Sequence, residues 1–165
     1  LPWRWSLQES SLALRHGGKR RVNNTAKLCR CLHTPGGTIM GWFMDVKNLN
    51  QAPAFTTKDG SEIRELLAHR NSAIANQSLA LARVPVNGCT VEHYHPVAEE
   101  IYYITHGTGR MRIDGEEREV GEGDAIAIPP GARHKLWNIG ADTLQLLCCC
   151  APAYEHEDTI LIEET

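Results

Sequence analysis

From residue 77 onward, the chain consists of short runs of apolar and β-branched residues separated by turn signals. These runs are expected to be strands, at about 77–86, 89–95, 99–106, 109–114, 117–120, 124–128, 133–139 and 143–151. One of the turns contains Asp114 and Gly115, a pair that supplies the positive φ angles of a type I′ hairpin. About eight short strands with tight turns predict an all-β fold, either an antiparallel sandwich or a small barrel.

The rest of the chain is less regular. The expected division is an extension, a segment packing on the barrel, the barrel itself and a C-terminal tail, at 1–43, 44–76, 77–152 and 153–165. The irregular extension shows no sustained periodicity and is interpreted as disordered or non-native, or as an organelle transit segment. Within the second segment, 59–70 fits either a short helix or an irregular stretch. In the tail, 160–162 is a candidate edge strand.

Charge and composition exclude several classes of partner. Residues 1–43 hold seven Lys or Arg and one acid, whereas residues 44–165 hold ten Lys or Arg and nineteen acids. An acidic domain is a poor partner for phosphates, so we expect no nucleic acid. No run of about 18 apolar residues predicts a transmembrane helix, and no membrane partner is expected. The cysteine pattern and the absence of a signal pattern favour a reduced, cytoplasmic location.

Four potential metal ligands occur within a short stretch of the sequence. Side chains alternate between the two faces of a strand, so His93 and His95 share one face. Glu100, preferred over Glu99, is expected on the same inner surface from the next strand, and His134 on a third strand. Burying four ionisable groups without partners would be costly. Three imidazoles and one carboxylate therefore predict a site for one divalent transition metal: Fe, Mn, Ni, Zn or Cu.

Weaker candidates surround this set. Tyr102 shares the face of Glu100, so it is either a catalytic proton donor or a core residue. Gln77 and Arg83 share one face of the first barrel strand, where they either contact an anionic substrate or face solvent. The run 148–150, three consecutive cysteines, is interpreted as strand packing, with thiol chemistry near the metal as the alternative.

The ligands lie within two longer patterns that resemble the two motifs of the cupin superfamily. The first motif reads G-x5-H-x-H-x(3,4)-E-x6-G, and its matches are His93, His95, Glu100 and Gly107. Its opening glycine is replaced by Asn87, a residue type that tolerates the left-handed conformation. The second motif reads G-x5-P-x-G-x2-H-x3-N, and every position matches: Gly123, Pro129, Gly131, His134 and Asn138.

The resemblance implies a small antiparallel jelly-roll β-barrel, a metal held by the four side chains, and a homodimer. The superfamily includes dioxygenases, isomerases, decarboxylases, lyases and binding proteins, and the fold does not choose among them. Two functions stay open. One is a metal-dependent enzyme, an oxidoreductase of the dioxygenase type or an isomerase or lyase, acting on a small oxygen-bearing metabolite. The other is a non-catalytic protein that binds a small molecule such as a sugar.

Overall fold

A computed structural model describes residues 44–162, so the extension predicted at 1–43 lies outside the described residues, as does 163–165. The described part contains two short 3-10 helices, Leu49–Gln51 and His156–Asp158. Its strands are β1 (Phe55–Thr56), β2 (Glu62–Leu67), β3 (Ser78–Val84), β4 (His93–Tyr94), β5 (Glu99–His106), β6 (Thr108–Ile113), β7 (Glu116–Gly121), β8 (Ala125–Ile128), β9 (His134–Asn138), β10 (Leu144–Ala151) and β11 (Ile160–Leu161).

The strands form two antiparallel sheets. The six-stranded sheet has the order β1-β2-β3-β10-β5-β8, and the five-stranded sheet has the order β11-β4-β9-β6-β7. Strands adjacent in space are often distant in sequence, as in the pairing of β10 with both β3 and β5. The prediction of an all-β, antiparallel jelly roll is confirmed. In the part of the chain described, the two sheets stay separate and do not join into one continuous barrel.

The core lies between the inner faces of the two sheets. Burial alternates residue by residue along β5 and β10, as expected for strands with one face on a core. Leu136 from the five-stranded sheet packs in one cluster with Ile104 and Leu146 from the six-stranded sheet. Cys148 and Cys150 face inward from β10 and are buried; Cys148 packs in the core cluster, and the Cys150 thiol lies 3.3 Å from Glu100 Oε1. Apolar burial of this kind supplies most of the stabilisation that holds sheet on sheet.

The second segment differs from both expectations for it. Residues 59–70 form neither a helix nor an irregular stretch, because β2 runs through them and pairs with β3 in the six-stranded sheet. A helix of two to three turns has little stability of its own, whereas pairing with β3 satisfies the backbone and turns Ile63 against the core. The apolar spacing of 59–70 is compatible with both a helix and a strand.

Turn geometry agrees with the sequence in detail. Asp114 and Gly115 have φ angles of 46° and 88°, which confirms the predicted hairpin between β6 and β7. Asn87 has a φ of 61°, so it adopts the left-handed conformation that glycine provides in the first motif. At the other end, β11 pairs with β4, so the tail does add the suggested edge strand.

Candidate metal centre

The structure brings the four candidate ligands together from two sheets. His93 on β4 pairs directly with His134 on β9, and His95 follows β4 by one residue. Glu100 faces them from β5 of the other sheet, while its neighbour Glu99 is exposed. The alternation of strand side chains thus selects Glu100, as the sequence indicated.

The four side chains form a compact cluster that is nearly closed to solvent. One potential ligand atom from each residue lies within 4.8 Å of those of the other three. Their exposed fractions are only 3%, 4%, 5% and 1% for His93, His95, Glu100 and His134. Glu100 Oε2 is 3.4 Å from His95 Nε2 and 3.5 Å from His134 Nε2.

Backbone carbonyls fix the orientation of each imidazole. His93 Nδ1 lies 2.8 Å from the Val91 carbonyl, and His134 Nδ1 lies 3.0 Å from the Ala132 carbonyl. His95 Nδ1 lies 3.2 Å from the carbonyl of Asp158. A carbonyl only accepts, so each Nδ1 is the protonated nitrogen and each Nε2 presents its lone pair to the centre of the cluster. Hydrogen bonds of this kind, from the ring nitrogen that does not bind the metal, orient the histidine ligands of metal sites.

Two polar atoms at the centre of the cluster lack hydrogen-bond partners within residues 44–162, and the charges of the cluster shift the pKa values of its members. Glu100 Oε2 and His134 Nε2 are buried and have no hydrogen-bond partner of good geometry among the described residues. Burial alone would raise the pKa of Glu100, but the imidazoles of His134 and His95 close to its carboxylate outweigh it and lower the pKa to about 2. Burial opposes protonation of His95, yet the Glu100 carboxylate outweighs it and raises the pKa of His95. For His93, burial and the proximity of His134 lower the pKa.

The donor set fits a divalent transition metal. Metal–nitrogen and metal–oxygen bonds are about 2.0–2.2 Å long, so donors in adjacent positions on one ion are roughly 3 Å apart. The separations of 3.4 Å and 3.5 Å from Glu100 are close to that value. Such an ion accepts three nitrogen lone pairs and a carboxylate as ligands. It would also give a partner to the two buried atoms that lack one in the described part of the chain, Glu100 Oε2 and His134 Nε2.

The C-terminal tail braces this cluster, which sequence reasoning missed. The Asp158 carboxylate accepts hydrogen bonds from the backbone N–H groups of Val97 and Ala98, at 3.1 Å and 2.9 Å. The Asp158 carbonyl contacts His95, as described above. One tail residue therefore holds both His95 and the turn that leads to Glu100. No local pattern indicated this role, because Asp158 is some sixty residues away in sequence.

A cavity with about 50 Å³ of water-accessible space adjoins the cluster, within about 660 Å³ of empty space that includes its open mouth. His93, His95 and Glu100 are part of its wall, and Tyr102 is beside them. The inner faces of β2, β3 and β10 supply most of the apolar lining. The turn between β1 and β2 and the tail supply the polar residues Thr57, Asp59, Ser61, Tyr154 and Thr159. Glu65, Ser78 and Thr90 add further polar side chains. Ligand sites are typically such concave, mostly apolar spaces with a few polar groups.

The other candidates fall in different places. Tyr102 is buried beside His134, with ring centroids 6.0 Å apart, and belongs to both the core and the cavity wall. Gln77 is exposed, and Arg83 faces away from the cavity, 3.5 Å from Glu62. The alternate residues of β3 line the cavity instead, among them Ser78 and Ala80. The structure therefore does not bring Gln77 and Arg83 to the site.

Comparisons with known proteins agree with this fold. The family model described as a cupin domain matches residues 80–150. An uncharacterized protein of Methanocaldococcus jannaschii is 51% identical over 109 residues, covering 66% of this chain and 87% of that protein. The chain belongs to the cupin superfamily.

Two solved structures share the fold at low identity. The polyketide cyclase RemF from Streptomyces resistomycificus superposes with a TM-score of 0.62 at 22% identity, covering 74% of this chain and 88% of that one. Pac13, a nucleoside dehydratase, superposes with a TM-score of 0.61 at 16% identity, covering 73% and 92%. A further Pac13 structure, from Streptomyces, contains uridine.

Within the described range, no helix is both long and apolar enough to cross a bilayer.

Proposed function

We propose that His93, His95, Glu100 and His134 hold one divalent transition-metal ion, and that the protein is a metal-dependent enzyme acting on a small oxygen-bearing metabolite. The observation that carries this proposal is the pair of orphaned atoms, Glu100 Oε2 and His134 Nε2, at the centre of a buried cluster. Without an ion, the protein would bury these groups at a net cost. The adjoining cavity supplies room for a small ligand beside them.

An ion bound there would act as a Lewis acid and as a template for a ligand with two oxygen donors. The protein's own residues would orient that ligand and handle protons. Burial raises the pKa of Tyr102 well above its usual value, with the Glu100 charge adding to the effect. Its hydroxyl therefore stays protonated at neutral pH. We propose Tyr102 as the proton donor or orienting hydroxyl of the site.

Of the two reaction types open to this site, we favour an isomerase or lyase reaction over a dioxygenase reaction. The supporting observation is that two structural neighbours are named as a dehydratase and a cyclase. Reactions of those kinds rearrange bonds within one substrate and need no dioxygen. An oxygen electrode separates the two types: turnover that consumes stoichiometric dioxygen would assign the dioxygenase reaction instead.

The experiment that tests the metal site is elemental analysis of protein purified without a histidine tag. We expect about one transition-metal ion per chain in the wild type and loss of that ion in His95→Ala. His106→Ala is the matched control, because His106 is exposed at the end of β5. Equal metal content in the two variants would refute the proposal. Metal binding together with tight ligand binding but no turnover would favour a non-catalytic binding protein.

We also propose that the chain forms a homodimer through the outer face of the six-stranded sheet. Ile101 and Tyr103 lie on that face of β5 with exposed fractions of 50% and 43%. Large apolar side chains exposed next to each other are typical of interaction surfaces. Light scattering on the wild type and on Ile101→Glu is the test, with a dimer expected for the former and a monomer for the latter. A monomeric wild type would contradict the proposal.

A further inference from the structure

A second carboxylate lies in the cavity wall, outside the metal cluster. Asp59 is 7% exposed and lines the cavity. Its turn is fixed from two sides. The Asp59 carbonyl accepts a 2.7 Å hydrogen bond from Val91 N, and the preceding residue, Lys58, donates to the tail carbonyls of His156 and Thr159 at 2.7 Å and 3.2 Å. Because Val91 also holds the ring of His93, this turn and the metal cluster are mechanically linked.

Only one of the two oxygens of Asp59 is used by its neighbours. Oδ1 accepts from the Thr57 hydroxyl, from the Ser61 hydroxyl at 2.8 Å and from Ser61 N at 3.3 Å. Oδ2 has no hydrogen-bond partner among residues 44–162. A carboxylate oxygen that is in a cavity wall and free to accept is a feature that a ligand would satisfy.

The charges around the cavity distinguish Asp59 from the other acidic residues of the wall. The acidic residues in the wall are Asp59, Glu65 and Glu100, and none of the described lysines or arginines lines it. Glu65 is engaged by Arg70 at 2.9 Å and by Asn71 at 3.4 Å. Glu100 faces the imidazoles and the proposed ion. Lys58 directs its ammonium group to the tail carbonyls. Asp59 is therefore the acid in the wall that no lysine or arginine of the described residues offsets.

We infer that Asp59 makes this cavity selective for neutral ligands that donate hydrogen bonds, such as polyhydroxylated metabolites, and against free carboxylates and phosphates. The inference rests on the proposed metal site, because it concerns the part of a ligand that lies beyond the oxygens bound to the ion. A hydroxyl group can donate to Oδ2, whereas an anion placed there meets a negative charge that no described lysine or arginine of the wall offsets. This also explains why the wall contains hydroxyl side chains and no basic ones.

The test measures how charge in the cavity affects the binding of two simple probes. The nickel-loaded protein is titrated calorimetrically at about pH 8.5 with oxalate, a dianion, and with imidazole, which is neutral at that pH; both bind open positions on such an ion. Asp59→Asn removes the charge at almost constant shape. Glu62→Gln is the matched control, because it removes one acid from the outer face of the same sheet, where Glu62 lies beside Arg83.

We expect Asp59→Asn to raise the affinity for oxalate about tenfold and to change that for imidazole by less than about twofold, since only the anion senses the lost charge. Glu62→Gln should change neither. Unchanged oxalate affinity in Asp59→Asn, or an equal change for both probes, would overturn the inference. If Asp59→Asn does not fold, Asp59→Ser removes the same charge from a smaller side chain, with the same expected result.

Nickel content is measured first for the wild type and every variant, so that failure of the metal site can be distinguished from failure of the role of Asp59. Failure of the wild type to retain nickel would refute the proposed metal site. Full nickel loading with no change in the ratio of oxalate to imidazole affinity would refute the role of Asp59 alone.

Discussion

Replacing Asp158 by alanine should weaken both the fold and metal binding, although Asp158 is not itself a ligand. The substitution removes the acceptors of the 3.1 Å and 2.9 Å bonds from Val97 N and Ala98 N. Hydrogen bonds to charged groups contribute about 1.5–3 kcal/mol each, and this site is partly open to water, so we expect a total loss of about 2–3 kcal/mol. Urea unfolding of the metal-free protein measures this loss directly.

The same substitution frees the tail carbonyl that orients His95. Loss of such outer partners lowers metal affinity about 10- to 100-fold, which a competition titration with a chromophoric chelator measures. Glu157→Ala is the control, because Glu157 is the exposed neighbouring acid in the same 3-10 helix. If Asp158→Ala and Glu157→Ala show the same stability and the same metal affinity, the bracing role of the tail is refuted.

Further predictions concern the fold and the ion. Asn138→Ala should cost about 2–4 kcal/mol in urea unfolding, because it leaves the carbonyls of Val84 and Asp142 without their donor; a loss below about 0.5 kcal/mol would contradict this. Asn87→Val should destabilise by about 1–2 kcal/mol, since its φ is 61°, whereas Asn87→Gly should be tolerated; equal stabilities would show that the turn relaxes. Metal affinity should fall as pH drops from about 8 to about 5, because protons compete for the imidazoles, first at His95, whose pKa is raised; a flat profile over that range would argue against histidine ligands. Removing the ion with a chelator should lower the midpoint of thermal unfolding, because the ion binds only the folded state, and an unchanged midpoint would count against a bound ion.

Local signals were enough to predict the strands from β3 to β10 and the cluster of His93, His95, Glu100 and His134. Turn residues bounded each strand, and the two-residue period placed His93, His95 and Glu100 on inner faces without any knowledge of packing. Asn87 adopts the left-handed conformation at the position of the motif's opening glycine, a conformation that its residue type tolerates. These features depend on contacts between near neighbours in the sequence, which is why they are visible there.

What the sequence did not reveal depends on contacts between distant segments. Asp59 and Asp158 reach the site only because the turn after β1 and the tail both fold over β4. The choice between helix and strand for β2 is made by its pairing with β3. The expectation for Gln77 and Arg83 depended on which face of β3 turns inward, and a shift of one residue in register reverses that choice.

The most direct test of the metal site is anomalous X-ray diffraction from crystals of untagged protein, measured across the absorption edge of the metal found by elemental analysis. We predict one anomalous peak per chain, about 2.0–2.3 Å from Nε2 of His93, His95 and His134 and from a carboxylate oxygen of Glu100. A protein with no anomalous peak between these side chains, or with its metal bound elsewhere on the chain, would contradict the assignment.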